Sequence, residues 1–249
     1  MTTPEALRLH FATQLYRGAS DDDFQRLLQG LEHNLALPCI AEATIFLDGC
    51  EPPWQRPHVR FQRLDRRADY ADFVGLMATA AQPGERPASQ LLFANSDIVF
   101  DDSLAAAAQA LAEGPPKRTL CLTRREGNGD FPAGIEPLQS QDAWLLPWQV
   151  VSPLLLDQLR GIRLGVAGCE HLLAAALLAH GFHLWNPSED CLAWHTDPNP
   201  VGYPPDGERY WGLYVYVPPC KISDIGNKEI GVYFAFSRAP GRYFPISIG

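Results

Sequence analysis

Several things are scarce in this chain, and each shortage removes a class of protein. Cations are few: Lys and Arg number 20 against 29 Asp and Glu in 249 residues, a net charge of −9. Polymeric nucleic acid is held by clustered cations that displace condensed counterions, so this balance argues against such a partner. A single nucleotide stays open, because one metal ion can neutralise its diphosphate. No apolar run approaches the roughly 20 residues that a membrane-spanning helix requires. The opening Met1-Thr2-Thr3-Pro4-Glu5 lacks the basic-then-apolar pattern of an export signal. Cys39, Cys50, Cys121, Cys169, Cys191 and Cys220 are scattered, with no C-x-x-C pair. Without an export signal they read as reduced thiols, several buried, and the expected compartment is the cytoplasm. Internal repeats and low-complexity tracts are missing as well.

What remains suits one large α/β domain, or one domain with an appendage. Leu7, Phe11 and Leu15 predict a helical face near the N-terminus. A second helix is signalled by Asp21, Asp22 and Asp23 at its cap and first turn, with Phe24, Leu27, Leu28 and Leu31 at helical spacing. Ala43 to Leu47 and His58 to Leu64 read as strands, and Tyr70 to Ala81 as a helix. Leu91-Leu92-Phe93-Ala94 has the apolar density of a buried parallel strand. It empties into Asn95-Ser96-Asp97, continues as Ile98-Val99-Phe100, and is followed by an Ala/Leu helix over Ser103 to Glu113. Thr119 to Thr123 is a further strand, before the polar loop Arg124 to Gly134. This strand–helix alternation argues for an α/β sheet with crossover helices.

Glu170 to His180 predicts another helix, leading to a short strand at Phe182 to Trp185. After His195, Asp197 to Pro205 has the composition of a linker. Strands are expected beyond it at Gly212 to Val217, Gly231 to Phe236 and Tyr243 to Ile248. The chain therefore divides into a main domain, 1–198, and a β-rich C-terminal extension, 199–249, packed on it.

Three places carry candidate chemistry. A buried strand ending in Asn95-Ser96-Asp97 puts Asp97 at a carboxyl edge, where α/β sheets bind ligands. A carboxylate there can hold Mg²⁺ or Mn²⁺ while a diphosphate and water complete the octahedron; equally, the segment could simply shape a turn. Gly165-Val166-Ala167-Gly168-Cys169-Glu170 sets an acid after a glycine-containing loop at a helix start, where it could also be a favourable first-turn charge. Asn186-Pro187-Ser188-Glu189-Asp190 leads to His195, which suits metal ligation.

In this order the segments resemble GT-A glycosyltransferases, in particular a bacterial and algal group with A-N-S-D-I, S-Q-D-A-W and N-P-s-x-D-I-x-x-x-H motifs. The resemblance covers residues 40 to 197. It implies a GT-A-like, Rossmann-like fold with a mostly parallel sheet flanked by helices, a divalent cation as cofactor, a nucleotide-sugar donor and a carbohydrate or other hydroxyl acceptor. It further implies Asp97 and His195 as metal ligands, with Asn95 and Ser96 beside the donor. Glu170 is the candidate base that takes the acceptor proton, and Asp142 is the next candidate. Asp142 and Trp144 would line the sugar or acceptor pocket, the indole stacking on a pyranose face. Arg66, Arg67 and Arg124 would meet the nucleotide or its phosphates. The pattern departs from the family at Asn95, where the metal motif has an acid, and at His171, where many relatives have Asp. Asp197 stands where a second His is common. Two other readings stay open: a catalytically idle GT-A-like domain that binds a sugar nucleotide or a protein, and a metal-dependent nucleotidyltransferase or phosphohydrolase.

Overall fold

Leu9–Tyr16, expected to be helical, is the strand β1, with every residue from Leu9 to Leu15 buried. The reason is arithmetic. Phe11 and Leu15 are four apart, and an even spacing keeps two side chains on one face of a strand as well as on one face of a helix. A computed structural model describes residues 7–18, 20–79, 89–114, 116–133, 136–149, 151–197 and 208–226, together with the strand backbone at 233–236. The expected strand at Tyr243 to Ile248 and most of the linker lie outside these residues.

Most of the remaining elements were expected; the strands at Ala143–Pro147 and Ala193–His195 and the helix at Pro153–Leu159 were not. After β1 come α1 (Asp21–Leu35), β2 (Ile40–Asp48), β3 (Val59–Leu64), α2 (Tyr70–Thr79), β4 (Gln90–Ala94), β5 (Ile98–Phe100), α3 (Ser103–Ala112) and β6 (Arg118–Leu122). Then come β7 (Ala143–Pro147), α4 (Pro153–Leu159), α5 (Cys169–Ala179), β8 (His183–Trp185), β9 (Ala193–His195), β10 (Leu213–Tyr216) and β11 (Tyr233–Phe236). Seven strands form the main sheet in the order β3-β2-β1-β4-β7-β6-β8. β3, β2, β1 and β4 run parallel, β7 is antiparallel to both neighbours, and β6 and β8 are again parallel. The architecture is thus the expected α/β one, a mostly parallel sheet flanked by helices.

Alternation along each strand supplies two cores. Leu91 and Phe93 of β4 join Ala12, Phe46, Trp144 and residues of α2, α4 and α5 on one face. Leu92 and Ala94 join Leu9, Phe11, Leu15, Ile45 and residues of α1 and α3 on the other. Both faces are covered, which is why the central strands read as unbroken apolar runs rather than alternating ones. Each fully buried Leu or Phe contributes roughly 1.5–3 kcal/mol relative to exposure. β10 and the residue after it share the first of these cores: Val215 and Val217 are completely buried there.

The strand order places the site. β1 has β2 on one side and β4 on the other, so successive crossovers leave it in opposite directions. At such a switch point the loops after the two strands diverge and leave a crevice at their carboxyl ends. The residues at that edge are Tyr16 of β1 and Asn95-Ser96-Asp97 after β4.

Candidate functional site

Asp97 and His195 meet because β5 leaves the main sheet. On α1, Asn34 grips the β5 backbone, donating from Nδ2 to Ile98 O (2.8 Å) and accepting from Phe100 N (3.0 Å). β5 then pairs antiparallel with β9, Ile98 opposite His195, and Thr196 N donates to Asp97 O (2.8 Å). Two residues 98 apart in sequence are left with His195 Nε2 and Asp97 Oδ2 at 3.2 Å. The segment at Arg125 holds β9 from its other side, through Arg125 N to Ala193 O and His195 N to Arg125 O. Glu126 Oε2 therefore reaches His195 Nδ1 at 3.1 Å.

A carboxylate only accepts, so both ring nitrogens of His195 act as donors here and the imidazolium is favoured. Burial opposes that charge, but the hydrogen bond and charge of Asp97, helped by Glu126, outweigh it and raise the pKa. A cation bound at Nε2 would take the place of this proton.

Asp142 and Arg124 form the floor beside this pair. Asn95 N donates to Asp142 O (3.0 Å), and Asp142 N to Leu122 O (2.9 Å), so the ends of β4 and β6 and the start of β7 are tied together. Asp142 Oδ1 accepts from Asn95 Nδ2 (3.0 Å) and Arg124 (3.2 Å), and Oδ2 accepts from Ser140 Oγ (2.9 Å). Arg124 also donates through Nε to Glu126 Oε1 (3.1 Å). Its burial acts against the charge, but Asp142 and Glu126 more than compensate and raise its pKa. Both oxygens of Asp142 already accept hydrogen bonds, so in this arrangement it ties Asn95, Arg124 and Ser140 together.

Glu170 stands in the first turn of α5, its side chain 15% exposed. Burial raises its pKa above the usual glutamate range; the neighbouring His171 opposes the shift and the charge of Asp142 adds to it. Cys169 Sγ donates to Glu170 Oε2 at 3.4 Å. The preceding loop is fastened to the start of α2 and the residues before it through Leu164 N to Ala68 O and Tyr70 N to Ile162 O. Gly168 has φ +85°, and a Cβ there would sit 2.7 Å from Tyr210 O and 2.8 Å from Tyr214 Oη. Gly168→Ala combines a left-handed backbone with two hard contacts. It is expected to lower stability by about 2–4 kcal/mol, read as an earlier urea midpoint at unchanged slope. An unchanged midpoint would mean that the loop has a second conformation open to it.

The cationic and aromatic expectations separate. Arg67 turns to the site: its guanidinium lies 5.8 Å over the Tyr16 ring, and a Cβ on Gly165 would be 3.9 Å from one of its nitrogens and 3.8 Å from Asn95 Oδ1. Arg66 is engaged with another partner: both terminal nitrogens are paired with Asp72 at the start of α2, at 2.6 and 2.9 Å, which fastens that helix. Trp144 is also corrected. It is fully buried in β7, opposite Phe93 and Cys121, and presents no face on which a sugar could stack. The pattern of a strand covered on both sides does not say that this indole belongs to the core.

Tyr16 and Glu126 were not singled out by their sequence setting. Tyr16 hydrogen-bonds Ser96, and burial, followed by the charge of Asp97, raises its phenol pKa. Recognising β1 as a central strand would have marked Tyr16, its last residue. Glu126 carries no local signal, because its place depends on a contact with β9.

A divalent cation fits this edge on one observation above others. Asp97 Oδ1 is buried and has no hydrogen-bond partner, beside a histidine nitrogen facing the same carboxylate. Among the described residues no three His, Cys, Asp or Glu side chains converge on one point. Asp97 and His195 could hold a cation as a pair, with phosphate oxygens and water completing its shell. Along the same edge, past the ends of β1, β2 and β3, lies a cavity of about 670 Å³ bordered by Arg17, Leu47, Cys50, Arg63, Leu64 and Asp65.

No family model matches the chain, and no curated protein matches it in sequence. Solved structures are similar to it in fold. A mannosyltransferase from Pyrobaculum calidifontis, in complex with GDP-Man and Mn²⁺, is similar over 82% of this chain and 59% of its own, at 12% identity and a TM-score of 0.49. S. aureus TarS 1-349 in complex with UDP-GlcNAc is similar over 78% of this chain and 62% of its own, at 13% identity and a TM-score of 0.48. GalNAc-T7 with UDP, GalNAc and Mn²⁺ follows at 9% identity, 81% and 46% coverage and a TM-score of 0.47. The chain thus spans less than two thirds of each of these proteins.

Proposed function

We propose that the chain transfers a sugar from a nucleoside-diphosphate donor to an acceptor hydroxyl, using Mn²⁺ or Mg²⁺ held by Asp97 and His195. The supporting observation is the Asp97–His195 pair at the switch-point edge, with one carboxylate oxygen buried and unpartnered. A lone carboxylate oxygen in that state is costly unless a water, another donor or a cation completes it, and the adjacent histidine nitrogen favours the cation. The cation, when bound, would draw off charge developing on the leaving diphosphate.

The remaining work falls to the chain itself. Arg67 lies where a phosphate beside Asn95 and Ser96 would meet it, and the 670 Å³ cavity has room for a nucleoside. Asp142 and Arg124, locked to each other, hold Asn95 and so fix the turn that presents Asp97. Glu170 takes the acceptor proton. In that step the acceptor oxygen bonds to the anomeric carbon, the bond from that carbon to the phosphate oxygen breaks, and its electron pair leaves with the nucleoside diphosphate. The acceptor proton ends on the Glu170 carboxylate. A base with a raised pKa suits this, since proton transfer is most effective when the base's pKa lies near the working pH.

Residues 1–198 would form the transferase domain, with 199–249 as the extension packed on it. At that junction His171 Nδ1 contacts Val215 O at 2.7 Å, and His171 stacks on Tyr214 with ring centroids 4.3 Å apart. The reading is tested by incubating the protein with a panel of nucleotide sugars and Mn²⁺ and measuring nucleoside diphosphate release. Release from at least one donor, abolished by chelation, is expected. No release from any donor, in the presence or absence of candidate hydroxyl acceptors, would favour an idle sugar-nucleotide-binding domain.

A further inference from the structure

None of the steps above uses Glu126, although its side chain is only 18% exposed and both of its oxygens are engaged. Oε2 faces His195 Nδ1 at 3.1 Å, and Oε1 accepts from Arg124 Nε at 3.1 Å. Arg124 continues to Asp142 Oδ1 (3.2 Å), and Asp142 to Asn95 Nδ2 (3.0 Å). Asn95 stands two residues before Asp97, whose Oδ2 lies 3.2 Å from His195 Nε2. The contacts close on themselves, running from Asp97 through His195, Glu126, Arg124 and Asp142 back to the turn that carries Asp97.

We propose that Glu126 is the positioning residue for His195, fixing the ring so that Nε2 is the nitrogen offered to Asp97 and a divalent cation. The inference rests on the metal-dependent reading above. An imidazole has two nitrogens, and the partner of one decides which proton stays and where the other points. An acceptor at Nδ1 holds the proton there, keeps Nε2 free to ligate, and makes the ring a better donor to a cation. It also gives the ring a second fixed contact besides the one to Asp97.

Service as a ligand in its own right fits Glu126 less well. Turning either oxygen to a cation breaks the bond to His195 or the bond to Arg124, whose side chain is only 16% exposed. The two carboxylates on either side of His195 differ in this respect. Both oxygens of Glu126 are satisfied, whereas Asp97 keeps one buried oxygen without a partner. One is placed to orient the ring, and the other to bind a cation with it.

A double-mutant cycle separates the roles. Calorimetric affinity for UDP and for GDP is measured across a Mn²⁺ series in the parent, Glu126→Ala, His195→Ala and the double variant, with melting temperature alongside. Removing a group that orients a ligating histidine typically costs 10–100-fold in metal affinity. Glu126→Ala is accordingly expected to raise the Mn²⁺ requirement about 10–100-fold with His195 present, and about twofold or less when His195 is already Ala. Glu126→Gln, which keeps an acceptor for Nδ1–H, is expected to lose less. If Glu126→Ala melts far below the parent, Glu126→Gln in both backgrounds carries the same comparison. Equal losses in the two backgrounds, or no loss in the parent background, would overturn the positioning role while leaving the metal-dependent reading in place. A parent with no Mn²⁺-dependent affinity for either nucleotide would overturn both.

Discussion

Glu170→Gln is expected to slow sugar transfer by at least about a hundredfold while leaving donor and metal affinity close to the parent's. Gln matches Glu in size, helix propensity and most hydrogen bonding, so the difference isolates basicity. Loss of a positioned base typically costs 10²–10⁴-fold, about 3–5 kcal/mol of barrier. Loss of a favourable charge at a helix start costs only about 0.3–1 kcal/mol of stability and leaves turnover nearly intact. Single-turnover transfer and a binding titration tell the two apart, and transfer within a few-fold of the parent rate would reduce Glu170 to a first-turn charge.

The same variant has a pH signature. Burial raises the Glu170 pKa from its ordinary 4.5, so the folded state keeps its proton at pH values where the unfolded chain has released it. Between the two pKa values the folded state binds more protons, and its stability falls as pH rises. Glu170→Gln cannot titrate. Its melting temperature relative to the parent should therefore climb as pH rises from about 4.5 through the raised pKa, and then level off. A difference that stays flat over that range would mean that the carboxylate is not held in a desolvated place.

Asp97→Ala should remove metal-dependent nucleotide binding altogether. Orienting residues around a metal ligand are worth 10–100-fold in affinity, so losing the main carboxylate ligand is expected to cost at least about a hundredfold. The fold should survive, because Asp97 lies in a polar turn after β4 with its side chain 29% exposed. His195→Ala should cost less, since phosphate or water can fill its position. Calorimetry that finds Mn²⁺-dependent affinity for a nucleoside diphosphate unchanged in Asp97→Ala would take this residue out of the site.

How much of this could be read from the sequence depended on how local each signal was. The apolar run Leu91 to Ala94 emptying into Asn95-Ser96-Asp97 announces a strand and its carboxyl edge without help from the rest of the chain. So does Glu170 after two glycines and before an Ala/Leu stretch. β1 failed because an even spacing satisfies two periodicities, and with it went Tyr16, whose place at the switch point follows only from a strand. Trp144 failed differently. In a strand buried on both faces, composition does not separate a core indole from a binding one. The Arg66–Asp72 pair and the Arg124–Asp142–Asn95 clamp depend on geometry between elements, which spacing along the chain does not encode. Glu126 is the extreme case. Its contact with His195 spans 69 residues and exists because β9 is held between β5 and the Arg125 segment.

The most direct test is the melting temperature of the protein with a panel of nucleoside diphosphates and nucleotide sugars, each with and without Mn²⁺. A ligand at 100 times its Kd stabilises the folded state by about 2.7 kcal/mol. For a chain of this size that corresponds to roughly 5–10 °C. The expected result is a shift of that order for at least one nucleotide, present only with Mn²⁺ and absent in Asp97→Ala. No shift with any nucleotide, or a shift that ignores both the metal and Asp97, would contradict a cation-assisted nucleotide site at the carboxyl edge of β1 and β4.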